Sequence, residues 1–428
     1  METIYLSRNK YNIRIQKIVI ATAVLGYTLG YAKLWAFHLI MALSLVFILA
    51  GKIKLQKVDI KYLTPFILLI VYSAFSLIYT RDALTGLRYI FYFTCGLMLV
   101  INCLTFCKNE NDLMSLSKLF SILIIANISI GVLESLGILR LPMSPYSEYA
   151  HLFGAKESNL HELENFQIDI VKTKPTGFNA NPNNFGFVWI LFFPWLFLNK
   201  RIYIKAIAII LFIFFNYFIE SKSLFVAGII FFVSYLIINI KKPAITIGSI
   251  IFIVIIFYFL LSNKDARYAS AFTEISNGLN LIKYSDFSKL NSTGLRAFIY
   301  AHGIDLFSKS YGLGIGIGGI TSYLESIKFP ITSFHFFFLE MLVDLGAIIF
   351  SILMFFYITL IVKLFKVTHS NKVDYLAKSI GYSLIIALPA SIGPSSIIYI
   401  LSFWCILGLG VATLKISKID SNFYYKIK

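Results

Sequence analysis

Apolar runs about 20 residues long recur along the chain, divided by short polar breaks. That is the length a helix needs to cross the hydrocarbon core of a bilayer. The runs lack the alternation over about 10 residues that marks a strand of a membrane barrel. The pattern predicts an all-α, polytopic membrane protein with about twelve transmembrane helices. They fall at roughly 18–32, 34–51, 62–80, 89–106, 119–139, 183–199, 206–220, 224–240, 243–262, 336–362, 379–393 and 397–414. Two long polar stretches interrupt the series, at 140–182 and 263–335. Residues 1–428 therefore read as a single integral membrane domain with two large loops. Loops of that length in a compact protein are usually functional. The first apolar run, from Ile18, follows Arg8, Lys10, Arg14 and Lys17, as in a signal peptide. No small-residue cleavage site follows and a second run begins at once, so a retained first helix is expected.

Composition agrees with the pattern. Of 428 residues 58% are hydrophobic and only 14% charged, too few charges to cover a soluble protein of this size. The basic residues fall on alternate breaks. Lys52, Lys54, Lys57 and Lys61 follow the second span, Lys200, Arg201 and Lys205 the sixth, and Lys363, Lys366, Lys372 and Lys378 the tenth. The positive-inside rule then puts both termini in the cytoplasm and both long loops outside it. The cytoplasmic side holds 23 of the 38 basic residues and only 6 of the 21 acidic ones. Topology thus accounts for the whole net charge of +17, which gives no support for nucleic-acid binding. Cys95, Cys103, Cys107 and Cys405 lie in or at the ends of apolar runs without metal-ligand spacing, and read as free, buried thiols.

Candidate chemistry sits at the loop ends. The first loop closes with "KTKPTGFNANPNNFGF", residues 172–187. Asn179, Asn181 and Asn183 alternate, and Pro182 stands where proline suits a helix start. Amides and free helix N–H groups can hold sugar hydroxyls or phosphate oxygens; an ordinary turn and cap would look the same. "ESKS", 220–223, puts Glu220 and Lys222 at the surface as an ion pair or a snorkelling lysine. In "TGLRAFIYAHGIDLF", 293–307, Arg296 and Tyr300 share one face of an amphipathic helix. Arg296 suits bidentate phosphate binding, or lipid headgroups. His302 reads as a surface histidine. "GLGIGIGG", 312–319, lacks the strand–turn–helix setting of a nucleotide site and reads as backbone passing close to another element or a ligand. His335, in "SFHFFFLEML", stands where the polar loop meets the next apolar run. It is either a boundary histidine bonded to backbone or headgroups, or a base working near neutral pH. Glu340 lies five residues on, about 140° around a helix, so a partner that orients His335 must come from another segment.

In order, "KPTGFNANPNNFG", "SKS", "LRAFIYAHGIDLF", "GLGIGIGG" and "SFHFFFLEMLVDLG" resemble the O-antigen polymerase and ligase superfamily over about residues 172–350. The resemblance implies a bacterial cytoplasmic-membrane glycosyltransferase. Such an enzyme takes a glycan from undecaprenyl diphosphate outside the membrane and passes it to an acceptor sugar hydroxyl, with inversion and without metal or other cofactor. It implies that His335 is the base and Arg296 the main cation at the diphosphate. Lys174, Lys222 and Arg267 would assist, with Tyr300, Asn179, Asn181 and Asn183 on the substrate. Lys174 and Lys222 stand where the family often has arginine, giving point charges in place of a planar fork. The partners implied are the lipid-linked oligosaccharide donor, a glycan acceptor and the bilayer, with a chain-length regulator and a flippase as further candidates.

Within that superfamily the composition, rich in Phe, Ile, Tyr and Lys, resembles polymerases of polysaccharide clusters, and this resemblance implies a polymerase of repeat units for O-antigen or capsular polysaccharide. The alternatives are a ligase that moves the glycan to lipid A-core in lipopolysaccharide biosynthesis, and a flippase for the same lipid-linked oligosaccharide. A transporter would place polar residues near the midplane on broken helices, where Glu134 and Asp344 are among the few candidates.

Overall fold

The computed structural model describes residues 10–31, 34–153, 172–179, 181–239 and 292–425. Within them the chain forms thirteen α-helices: α1 Lys10–Leu25, α2 Ala36–Leu49, α3 Lys57–Ser76, α4 Ala83–Phe106, α5 Glu110–Ser135, α6 Pro182–Phe197, α7 Ile202–Ile219, α8 Lys222–Asn239, α9 Ser292–Lys309, α10 Gly319–Ser326, α11 Phe337–Phe365, α12 Asn371–Ala390 and α13 Leu401–Tyr425. The predicted span at 243–262 lies outside the described residues; each of the others overlaps one of these helices. The strands described are a minimal antiparallel pair, β1 Gly30–Tyr31 and β2 Leu34–Trp35. Six helices, α3, α4, α5, α7, α8 and α11, are long and apolar enough to cross a membrane, and α2 and Leu401–Ser417 are shorter apolar helices. The chain is a multi-pass membrane protein.

The helix starts follow local chemistry. Asp82 accepts from the Leu84 and Thr85 amides to cap α4, and Asn109 accepts from Asp112 to cap α5. Ser370 accepts from Val373 to cap α12. Each side-chain oxygen satisfies an amide that has no partner within the helix. At one end of the bundle the Lys415 ammonium meets Asp59 at 2.6 Å and donates to the Leu104 carbonyl at 3.0 Å. That buried pair joins α13, α3 and α4. We call this the lower end, and the α3–α4 turn at Thr80 the upper end. The four cysteines are free and buried, as expected.

The apolar run at 336–362 reads as one continuous span, but α11 is broken. Gly346 has φ 81 and ψ 169, outside the helical region. A straight helix would hold Phe338 and Tyr357 about 28 Å apart, yet their rings are 5.4 Å apart. The first leg, Phe337–Leu345, therefore folds back along the second. The glycine-rich loop fills the break. Ile315 N donates to Val343 O at 3.1 Å, Gly316 N to Asp344 O at 3.0 Å, and Ala347 N to Gly312 O at 2.9 Å. A side chain at Gly314 would strike the backbone of Asp344 and Gly346, and one at Gly346 would strike Leu313. The same loop meets the upper end, where Thr80 Oγ1 donates to Ile317 O at 2.9 Å. "GLGIGIGG" is thus backbone in close approach to another element, one of its two sequence readings. It satisfies backbone groups that a broken helix leaves open.

The fold-back creates a second, smaller core of Phe298, Ile299, Ile320, Leu324, Phe329, Phe334 and Val343, beside the main helical core that contains Phe337 and Phe338. His335 lies between the two. It stands just before the first leg, which runs roughly 12 Å from Phe337 to Leu345 at the 1.5 Å rise of a helix.

Candidate functional site

His335 is held by its backbone at both sides. Its N–H donates to the Ser395 carbonyl at 2.9 Å, and its own carbonyl accepts from the Tyr300 hydroxyl at 2.9 Å. Its φ is +58, a left-handed conformation that is uncommon for residues other than glycine and costs about 1–3 kcal/mol. The two clamps sustain it. The side chain is 9% exposed and faces the carbonyls of Gly393 and Pro394. Its Nδ1 is buried without a hydrogen-bond partner.

Arg296 lies one turn before Tyr300 on α9 and bears on the same imidazole. Its Nε is likewise buried and unpartnered. The His335 pKa falls to about 4, first from burial, then from the Arg296 charge, with the Gly393 and Pro394 carbonyls pulling the other way. The ring is therefore neutral at pH 7. Burial lowers the Arg296 pKa, opposed by Tyr300, and burial lifts the Tyr300 hydroxyl to about 12. A guanidinium still remains charged at neutral pH.

A second group of residues fixes the end of the first loop. The Glu134 carboxylate, on α5, accepts from the Thr176 amide at 2.6 Å and the Gly177 amide at 2.7 Å. Asn127 accepts from the Phe178 amide at 2.6 Å. These bonds fix the Pro-Thr-Gly turn. Lys174, just before it, is not a lone cation: it pairs with Glu220 at 3.2 Å. Lys222 donates to Thr293 Oγ1 at 3.4 Å, one turn ahead of Arg296 on α9. Ser221 and Ser223 share a hydrogen bond of 3.0 Å and lie against Gly393. "KPTG", "SKS", the α9 arginine and His335 are thus brought together by four distant segments.

The asparagines divide. Asn181 accepts from the Asn184 amide at 2.8 Å and caps α6; Asn179 donates its backbone N–H to Thr176 O at 2.9 Å within the turn. Asn183 is half-buried in the first turn of α6. Asn181 therefore makes the ordinary cap that the sequence left open. Arg267 lies outside the described residues. His302 is half-buried, its ring 4.1 Å from that of Phe298 and 6.1 Å from that of Tyr323.

Sequence reasoning missed the segment 391–396, whose carbonyls receive His335. It also missed the group that anchors that segment. Glu340 accepts from Ser396 Oγ at 3.0 Å and from the Tyr89 hydroxyl at 2.6 Å, and the Tyr89 oxygen lies 2.9 Å from Thr321 Oγ1. "SIGPSS" between two apolar runs, rich in turn formers and hydroxyls, was the available signal. Asp344 accepts from the Gly318 and Ile320 amides at 2.8 and 3.0 Å and so holds the start of α10.

No family model and no solved structure matches the chain. The chain is similar to the teichuronic acid biosynthesis protein TuaE of Bacillus subtilis (strain 168), with 24% identity over 365 residues, covering 81% of this chain and 70% of that protein.

Proposed function

We propose that this protein is a membrane glycosyltransferase that polymerises oligosaccharide repeat units carried on undecaprenyl diphosphate into a bacterial surface polysaccharide. One observation carries the reading. Two buried nitrogens, Arg296 Nε and His335 Nδ1, lack partners within one site, and leaving such groups unmatched is costly unless a ligand completes them. The similarity to a teichuronic acid biosynthesis protein supports a surface-polysaccharide role. The basic breaks support a topology of about twelve spans with both termini cytoplasmic and the site on the outer side.

The chemistry follows from the two groups. The donor sugar leaves as its anomeric carbon–oxygen bond to the diphosphate breaks. The acceptor hydroxyl oxygen forms the new bond at that carbon from the opposite face. Neutral His335 takes the hydroxyl proton. Arg296 meets the charge that grows on the departing diphosphate, an electrostatic contribution that strengthens in the transition state. Bound diphosphate also offsets the positive field on the imidazole, so donor binding raises the basicity of His335 when it is needed. Lys222 and Lys174 line the approach, the latter neutralised by Glu220.

Transport of the same lipid-linked glycan is a second reading favoured by the break at Gly346, since transporters build sites at discontinuous helices. Here the open backbone groups are met by the glycine-rich loop, and Asp344 and Glu134 are saturated by amides. Surface chemistry is the better account. The test is to incubate the purified protein with lipid-linked repeat units alone. A ladder of longer glycans is expected. Product that forms only when lipid A-core is added would make it a ligase, and movement across vesicles without product a transporter.

A further inference from the structure

A hollow with an amphipathic lining lies away from the His335–Arg296 pair, at the upper end of α5. It has a volume of about 680 Å³, within the range of about 300–1,000 Å³ usual for ligand sites. Tyr146, Ser147, Tyr149, Lys172 and Thr173 line it on one part and Ile138, Leu139 and Pro142 on another, with Glu148 beside them. Tyr149 is 56% exposed. Tyr146 carries the Arg140 guanidinium 5.7 Å from its ring centre.

The floor is rigid. Arg140 donates to the carbonyls of Lys172 and Lys174 and pairs with buried Glu134 at 3.5 Å. Glu134 in turn fixes the Thr176–Gly177 turn. That uses both charges of the floor and leaves tyrosine rings, hydroxyls, one lysine, one glutamate and the apolar Ile138, Leu139 and Pro142 at the wall. Such a wall suits a pyranose. The C–H face of the ring packs on an aromatic side chain that also offers a hydroxyl, and the sugar hydroxyls take hydrogen bonds of either sense. It does not suit a polyanion, which needs an excess of cations.

The cleft is tied to the reaction site through one turn. Lys172 lines the cleft, Lys174 reaches Glu220, and the neighbouring Lys222 reaches Thr293, three residues before Arg296.

We propose that this cleft is a saccharide-binding subsite that holds the acceptor glycan, with Tyr146 and Tyr149 as its stacking surfaces. The proposal rests on the glycosyltransferase reading above and adds where the acceptor lies. The test uses full-length protein in nanodiscs. Its probe is a set of lipid-free oligosaccharides, released by mild acid from the surface polysaccharide of the strain that encodes the chain. Saturation-transfer NMR and a titration give binding; a parallel assay with lipid-linked units gives transfer. The wild type should bind, and Tyr149→Ala should weaken binding about tenfold, the loss of one stacking contact. Tyr149→Phe should restore most of it, and His335→Asn should bind like the wild type. Undiminished binding in a Tyr146→Ala, Tyr149→Ala double variant would overturn the proposal, as would intact transfer with no saccharide binding, which leaves the transferase reading standing. Tyr149-dependent binding without any transfer would uphold the cleft and sink the transferase reading instead.

Discussion

The Tyr300 hydroxyl donates to the main-chain carbonyl of His335 at 2.9 Å, and on the other side the Ser395 carbonyl accepts from the His335 amide. A residue of α9, four after Arg296, thus holds the backbone of the histidine while the α12–α13 connection holds it from the opposite side. The arrangement explains how a non-glycine residue stays in a left-handed conformation at φ +58.

Removal of one clamp should be felt mainly in turnover. Tyr300→Phe loses a hydrogen bond worth about 1 kcal/mol and leaves the ring packed. We expect transfer to fall about fivefold to tenfold through kcat, with KM for the lipid-linked donor little changed. Steady-state kinetics in detergent checks this. A change confined to KM would mean that Tyr300 binds substrate and does not hold His335.

The pH dependence has a defined sign. Burial and the Arg296 charge depress the His335 pKa from 6.5 to about 4. The neutral ring therefore adds stability that is present above about pH 6.5 and is lost as pH falls towards 4. In the free enzyme the acid limb of kcat/KM should lie well below pH 6. Bound diphosphate raises the pKa, so the acid limb of kcat should lie higher. Arg296→Gln should raise the His335 pKa in the free protein, measured by NMR of ¹⁵N-labelled histidine. Coincident limbs near pH 6.5, unchanged by Arg296→Gln, would separate the two residues.

Gly346→Ala should be severe. The position has φ 81 and a Cβ there would meet the Leu313 backbone. The strain of the left-handed region, about 1–3 kcal/mol, adds to that collision. We expect poor yield of monodisperse protein and loss of transfer, read by fluorescence-detected size exclusion. Wild-type yield and activity would show that the helix break tolerates a side chain.

Much of this was legible in the sequence because membrane helices announce themselves by length. Every predicted span within the described residues met a helix, and the cap at Asn181 and the face shared by Arg296 and Tyr300 came from short-range rules. The break at Gly346 was hidden because both legs of α11 are apolar, and an apolar run does not record a reversal of direction. The pairing of Lys174 with Glu220, 46 residues on, was hidden for another reason. Only the folded chain sets the turn beside α7. Sequence spacing puts Glu340 and His335 on one helix, whereas His335 stands before α11 with φ +58. The action of Glu340 through Ser396 on the segment that grips His335 runs between two helices and leaves no periodic trace.

The central claim is tested most directly by His335→Asn. Asparagine tolerates the left-handed backbone and keeps a polar group at the site, but it cannot take up a proton at neutral pH. Purified wild type and variant, matched for folding by size exclusion, are given lipid-diphosphate-linked repeat units, and glycan product is followed over time. The variant should transfer at least about 100-fold more slowly, the usual range for a lost general base, while still binding donor. A rate equal to the wild type would contradict the claim that the imidazole of His335 takes the proton.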